Sequence, residues 1–426
     1  MYMDIRSHAD MQIVCQIKNH KQLAGCIVYR GRLLSSILIF VRNVMIYLDN
    51  GATSYPKPRA MLGAMEDCML HYCGNPGRSG HYMSIRTGEE VYRARRAVAS
   101  VFHIQEGERL VFTKNTTEAL NLGLKGVLDA GNHVITTSME HNSVLRPLKS
   151  MESAGIITQS VIRADREGMI HPIDIEKAIR PETKMIAVTA ASNVTGTKMP
   201  LTEIGRIARR KGILFLVDGA QGAGTMEINV EELGIDLLAF PGHKGLLGPL
   251  GTGGLYASRD VRLKTFCEGG TGTESKSRVQ PKEFPEGYEA GTINAPGIIG
   301  LGAAAEFVKK IGVDVIAQYE EELIAFIDEK LDNMQSVTRY GPDADKKTGI
   351  TLFNIAGITA EEATSILGNE YGIAVRGGYH CAGLAHKTIG TWDRGGIRVS
   401  VGPFNTKKHM EKLADAVWKI SCRQES

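Results

Sequence analysis

Ile213-Leu-Phe-Leu-Val-Asp218-Gly-Ala-Gln221 is followed closely by Ile235-Asp-Leu-Leu-Ala-Phe-Pro-Gly-His-Lys244. Each stretch carries a short apolar run that stops at a chargeable side chain. Unbroken apolar runs of this length suit strands buried on both faces, as in a parallel sheet covered by helices. An acid at one strand tip and a lysine at the next are costly to desolvate without a partner. Desolvation lowers a lysine's pKa, which suits Schiff-base chemistry. The plain alternatives are a helix cap for Asp218 and a surface lysine for Lys244.

Outward from these runs the chain alternates strand and helix. Strands are expected at 109–113, 132–137, 157–162, 184–190, 213–217 and 235–240, and helices at 88–103, 116–130 and 201–211. That rhythm argues for an α/β fold with a mainly parallel sheet, and ligands of such sheets sit at the carboxyl ends of strands. Long helical patterns at 297–310 and 313–334 lead to strand 349–355, helix 359–371, strand 395–401 and helix 406–420, a smaller α+β unit. Three regions are expected: an extension, 1–44, disordered or outside the native fold; a large domain, 45–310, with an N-terminal arm at 45–61; and a small domain, 311–426.

Composition narrows the function. Of 426 residues, 43% are hydrophobic and 23% charged, which excludes disorder as the dominant state. The apolar run 33–41 is far short of the ~20 residues a membrane span requires. Net charge is +3, and residues 1–44 hold six of the 50 basic and two of the 47 acidic residues, leaving 44 against 45. No basic field covers the body, so neither a nucleic-acid nor a membrane partner is expected. Seven cysteines without regular spacing form no disulfide framework and no metal motif, which points to a reducing, cytoplasmic home and no metal.

The strand ends supply the chemistry. After 109–113 stand Asn115, Thr116 and Thr117 at a helix start, an anion cup with two hydroxyls. After 132–137 comes His141, after 184–190 Asn193, then Asp218 and, 26 residues later, Lys244. A phosphate cup, an acid for a pyridine nitrogen and a lysine for an aldehyde are what pyridoxal 5'-phosphate requires. A nucleotide P-loop is excluded, because Gly245 stands where Ser or Thr would follow its lysine.

With these residues in place, the chain from about Tyr47 to Ile420 resembles the class V aminotransferase family of fold-type I pyridoxal-phosphate enzymes, and more closely its cysteine desulfurase and selenocysteine lyase branch in the group II form. The resemblance rests on Tyr47-Leu-Asp-Asn-Gly-Ala-Thr, Asn75-Pro-Gly-Arg-Ser-Gly-His81, Thr113-Lys-Asn-Thr-Thr-Glu118, Met139-Glu-His-Asn142, Val217-Asp-Gly-Ala-Gln221 and Gly242-His-Lys244. Glu289-Ala-Gly-Thr-Ile-Asn294, Arg376-Gly-Gly-Tyr-His-Cys381 and Arg398-Val-Ser400 complete the set in the family's order.

The resemblance implies a role for each position. Lys244 would carry the cofactor and act as base, Asp218 would pair with the ring nitrogen, and Gln221 and Asn193 would bond the ring's phenolic oxygen. His141 would stack on the ring. Thr116, Thr117 and His243 would hold the phosphate, with Thr292 reaching in from the other subunit of a homodimer. Arg398 would bind the substrate carboxylate as a fork, with Arg376 and His81 also on the substrate side. Cys381 would be the nucleophile that takes sulfur from L-cysteine as a persulfide, releasing L-alanine and passing sulfur to an acceptor protein, as in iron–sulfur cluster assembly. A free thiol is only a few per cent thiolate at pH 7, and His380 or Arg376 would raise that fraction.

The chain departs from the pattern at three places. Pro241 stands where a serine commonly precedes Gly-His-Lys, Ala382-Gly-Leu-Ala-His386 replaces the usual Ala-x-Pro after the cysteine, and Asn50-Gly51 replaces the usual Ser/Asn-Ala before Ala52. The alternatives are a selenocysteine lyase acting on L-selenocysteine, another class V reaction such as transamination or epimerisation, and a cofactor-binding scaffold without catalysis. The aperiodic, charge-rich extension generates a test: a protein beginning at Met45 is expected to fold and retain its cofactor, measured by soluble yield and visible absorbance. Loss of either would make the segment part of the fold.

Overall fold

The computed structural model describes the backbone of residues 11–17, 22–29 and 32–40, and residues 45–77 and 79–424, the side chain of residue 424 excepted. Three strands, β1 (Met11–Ile17), β2 (Gln22–Tyr29) and β3 (Arg32–Phe40), pair antiparallel as a sheet of their own. The sequence there shows no period of 2, and cross-strand pairing of adjacent segments defines these strands instead. The rest of 1–44, and all its side chains, lie outside the described residues.

Strand β4 (Ile46–Tyr47) opens the arm. The large unit contributes β5 (Leu110–Thr113), β6 (Asn132–Thr137), β7 (Ile157–Ile162), β8 (Thr183–Thr189), β9 (Leu214–Asp218), β10 (Leu237–Pro241) and β11 (Gly253–Ala257). They form one sheet in the order β5-β11-β10-β9-β8-β6-β7. Every pairing is parallel except those of β11, which runs antiparallel to β10 and β5. The glycine-rich run after Lys244 therefore holds a strand that apolar patterning does not reveal. Gly253 lets that strand run close to its neighbours: a Cβ there would lie 2.7 Å from Phe240 O and 3.0 Å from Asn115 Cα. Both sheet faces are covered, and Leu216, Val217, Leu238 and Phe240 are fully buried, each gaining about 1.5–3 kcal/mol from removal from water.

The small unit has β12 (Val337–Tyr340), β13 (Ile350–Ile355), β14 (Ile373–Ala374), β15 (Arg376–Gly378) and β16 (Gly396–Ser400). Four of these make a second sheet, β12-β13-β16-β15, and β14 pairs in parallel with β4. This corrects the arm's expected place in the large unit. Ile46 and Leu48 pack into the small unit's core with Phe353, Ile373 and Ile397, Asn50 and Gly51 still bond Ser400, and from Gly51 onward the chain bonds the large unit. A two-residue strand is too short for periodicity to assign it a partner. Helix Tyr82–Val101 begins six residues earlier than the sequence suggests, because the His81 side chain accepts the Ser84 N–H and caps it.

The motif that carries Thr292 is anchored by a buried ion pair. Arg95, on helix Tyr82–Val101, binds Glu289 through Nη1–Oε1 at 2.7 Å and Nη2–Oε2 at 2.8 Å, and Glu289 also accepts the Phe112 N–H at 2.6 Å. Their side chains are 7% and 8% exposed. Glu289→Ala strands the buried guanidinium and is expected to destabilise the fold by about 3–5 kcal/mol, read from the urea midpoint. A loss under 1 kcal/mol would mean that water reaches Arg95 readily.

Candidate active site

The carboxyl ends of β5, β6, β8, β9 and β10 converge on one cavity of about 230 Å³. It is lined by Thr116 and Thr117 after β5, His141 after β6, Asn193 after β8, Asp218 and Gln221 at the end of β9, and His243 and Lys244 after β10. The small unit closes it with Arg376, His380 and Arg398. These eleven residues, all singled out from sequence, thus meet in one place. Thr292 lines a different cavity with Phe266, Glu289 and Asn294. His81 is exposed and outside the lining, with its ring nitrogen spent on the helix cap.

Three features suit an anion on one side of the cavity. Helix Thr116–Val127 points its amino end at it, with Asn115 as the cap. Thr117 Oγ1 lies 2.8 Å from Ser143 Oγ, which lies 2.9 Å from His141 Nδ1. Buried His243 Nδ1 has no hydrogen-bond partner among the described residues. Burial together with the charge on Lys244 pushes both His141 and His243 down to about 4, so both rings are neutral. His141 Nδ1 accepts the Ser143 N–H at 3.1 Å, which leaves its proton on Nε2.

On the other side Asp218 is buried, and burial raises it to about 6 against the pull of the Ala220 N–H and of Lys244. Burial, reinforced by Arg398, lowers Lys244 to about 8. The set can therefore hold an anion at the helix end, a cationic ring nitrogen against Asp218 and a carbonyl carbon at the Lys244 amine. Pro241 offers no hydroxyl, and Ser143 supplies one from β6's side instead. Asn193 Nδ2 donates to His380 O at 2.6 Å and Gln221 Nε2 to Gly51 O at 3.0 Å, each amide keeping a second N–H for the cavity.

Arg398 is 1% exposed. Its Nη2 donates to Asp49 Oδ1 at 2.8 Å and its Nη1 to Asn193 O at 2.9 Å, while Nε has no partner among the described residues. Cys381 is exposed at the rim, and Asn142 N donates to its carbonyl at 2.9 Å. His380 does not supply the expected positive charge to this thiol. Burial, with Arg398 close by, drives its pKa well below the ordinary range, so its ring is neutral. Arg376 is the remaining cation, with Nη2 4.0 Å from Cys381 Sγ.

Sequence reasoning missed four contributors. Asp49 balances Arg398, and Ser143 joins the hydroxyl chain. Glu140, fully buried, accepts from Thr137 Oγ1 at 2.5 Å and Thr189 N at 3.1 Å, and burial raises it to about 8, so it is protonated at neutral pH. Lys57 donates to His243 O at 2.9 Å. Asp49 and Glu140 lie inside quoted motifs, which was the available signal; Lys57 left none. A measurement on Lys244 follows from its lowered pKa. The reactive neutral amine appears above about pH 8, so in cofactor-free protein Lys244 acylation, read by peptide mass spectrometry, should rise to about pH 8–9 and then level off, while an ordinary lysine keeps rising past about 10. A Lys244 profile still rising at pH 10 would place the amine in water.

Comparison with known proteins agrees with this geometry. A family model described as Aminotransferase class-V matches residues 46–413. A probable cysteine desulfurase of Methanothermobacter thermautotrophicus is 35% identical over 382 residues, covering 88% of this chain and 94% of its own length. One of Halalkalibacterium halodurans is 35% identical over 383 residues, 88% of this chain and 93% of its own. Among solved structures, the apo cysteine desulfurase of Thermococcus onnurineus superposes with a TM-score of 0.85 at 35% identity, over 89% of this chain and 95% of that one.

Proposed function

The chain belongs to the class V aminotransferase family, and from that premise we propose that it is a pyridoxal-phosphate-dependent cysteine desulfurase, which converts L-cysteine to L-alanine and holds the sulfur as a persulfide on Cys381. The observation that carries this reading is the pair of hydrogen bonds that hold the Cys381 loop over the Lys244 cavity, from Asn193 Nδ2 to His380 O at 2.6 Å and from Asn142 N to Cys381 O at 2.9 Å. A thiol has no part in plain amino transfer, whereas removal of sulfur needs a nucleophile at this rim.

Thr116, Thr117 and His243 would hold the phosphate, Asp218 would face the ring nitrogen, Asn193 and Gln221 would face the ring oxygen, and His141 would cover the ring. When bound, the cofactor withdraws electrons from the substrate's Cα and makes its proton labile. Arg398 grips the substrate carboxylate, its unpartnered Nε adding a donor to the fork. The Lys244 amine, near 8, takes the Cα proton and returns protons to the carbon skeleton. The Cys381 thiolate, opposite Arg376, attacks the substrate sulfur. An S–S bond forms, the Cβ–S bond breaks, and its electron pair stays with the carbon skeleton, which gains protons to become alanine. Neutral His380 packs behind the thiol and transfers no charge to it.

A homodimer completes the site in this reading. Thr292 lines a separate cavity of its own chain, and a second copy brings it to the phosphate. The persulfide passes to an acceptor protein, and a reducing, cytoplasmic setting keeps Cys381 a free thiol. The test is Cys381→Ser with sulfide and alanine both measured, no keto acid present. Sulfide release from cysteine is expected to fall on the order of 10²-fold or more, because a hydroxyl cannot accept sulfur, while the cofactor stays bound. Wild-type release in this variant would move the protein to another reaction of the family.

A further inference from the structure

The turn before Cys381 is bent in an unusual way. His380 has φ 53° and Cys381 φ 57°, two successive non-glycine residues in the left-handed region, which L side chains occupy only when the surroundings hold them there. From the large unit, Asn193 and Asn142 hold their two carbonyls. From the small unit the restraint comes through side chains. His380 Nε2 lies 3.1 Å from Arg376 O, His380 Nδ1 3.4 Å from His386 Nε2, and His386 Nδ1 2.7 Å from Thr391 Oγ1. The two imidazoles stack at 5.6 Å and 17°, and Tyr379 meets the His386 ring edge-on at 5.4 Å. His386 is completely buried.

The donors run in one direction. A carbonyl only accepts, so His380 Nε2–H donates to Arg376 O. Neutral His380 then accepts at Nδ1 from His386 Nε2–H, and His386 accepts at Nδ1 from the Thr391 hydroxyl. The chain of bonds thus begins on Thr391, beyond helix Gly383–Ile389, and ends on the carbonyl of Arg376, the residue whose guanidinium faces Cys381 Sγ. His386 is also the residue that distinguishes this loop, standing in the Ala382-Gly-Leu-Ala-His386 run that replaces Ala-x-Pro.

We propose that His386, supported by Thr391, is a positioning residue that holds the Cys381 loop in its bent form and aims the thiol at the substrate sulfur. This rests on Cys381 as the nucleophile. Removing the imidazole leaves His380 Nδ1 buried without a donor, and the small unit's hold on the turn is then reduced to the His380 Nε2–Arg376 O and Ala382 N–Tyr379 O bonds.

The test compares His386→Leu, His386→Gln and Thr391→Val. The first readout needs no cofactor: the rate at which iodoacetamide alkylates Cys381, followed on its own peptide by mass spectrometry, with Cys267 and Cys422 as internal controls. The second compares, in the holoenzyme, the absorbance change on adding cysteine with the rate of sulfide release. His386→Leu should alkylate several-fold faster at Cys381 alone. It should release sulfide roughly tenfold more slowly, the size of effect a displaced reacting group produces, with the cysteine-induced absorbance change intact. His386→Gln should restore both, because its amide nitrogen reaches the Nε2 position, and Thr391→Val should fall between. Should His386→Leu fail to fold, Thr391→Val carries the test. Wild-type Cys381 alkylation in the folded variants, or faster alkylation at all three cysteines together, would overturn the proposal. The alkylation rate stands apart from turnover, so failure of the desulfurase reading, seen in Cys381→Ser, is distinguishable from failure here.

Discussion

Burial of the Lys244 amine at the carboxyl end of β10 is the constraint on which the rest of the structure depends. Among the described residues no hydrogen bond or ion pair closes on this amine, and desolvation lowers it to about 8. Asp218 lies on the adjacent parallel strand, in register with Ala239, and its charge partly offsets the cost. Gly245 follows because a Cβ there would collide with the carbonyl of Ala223. The amine is reactive for the same reason that it is costly: the protein around it strips away much of its hydration.

The arm is what holds the lysine loop. Ser54 N and Lys57 Nζ each donate to His243 O at 2.9 Å, Thr53 Oγ1 donates to it at 3.1 Å, and Ser54 Oγ reaches Lys244 O at 2.9 Å. A few residues earlier the same arm belongs to the small unit. Leu48 N donates to Ala374 O at 2.9 Å, Asn50 Nδ2 donates to Ser400 O at 3.1 Å, and Asp49 pairs with Arg398. One short segment therefore ties the buried Arg398 guanidinium to the loop that carries the amine.

The thiol is treated in the opposite way. Lys244 is enclosed, whereas Cys381 is exposed at the rim on a turn held by a few discrete hydrogen bonds from both units. On the proposed reading, a group that collects sulfur inside the cavity and gives it up outside is served by such an arrangement, since a loop with few restraints opens at low cost.

How much of this was legible depends on the range of the interaction concerned. The β9 and β10 runs, the helix starting at Thr116 and the Asp218–Lys244 spacing are local patterns, and they were enough to name the sheet and most of the cavity. Strand β11 was not legible, because its glycines are there for close approach to Phe240 and Asn115 rather than for apolar burial. The arm's allegiance to the small unit was not legible either, since two residues of strand carry no period and their partners lie more than 300 positions away. The neutrality of His380 came only from its burial under Arg398. By itself the sequence determined which chemical groups are present and which strand tips carry them, because strand period and strand-end chemistry are written over a few neighbouring residues. Only the tertiary structure decided which of those groups are desolvated, which carbonyl each donor meets and which cation faces the thiol, because desolvation and hydrogen bonding depend on atoms that the chain brings together from far apart.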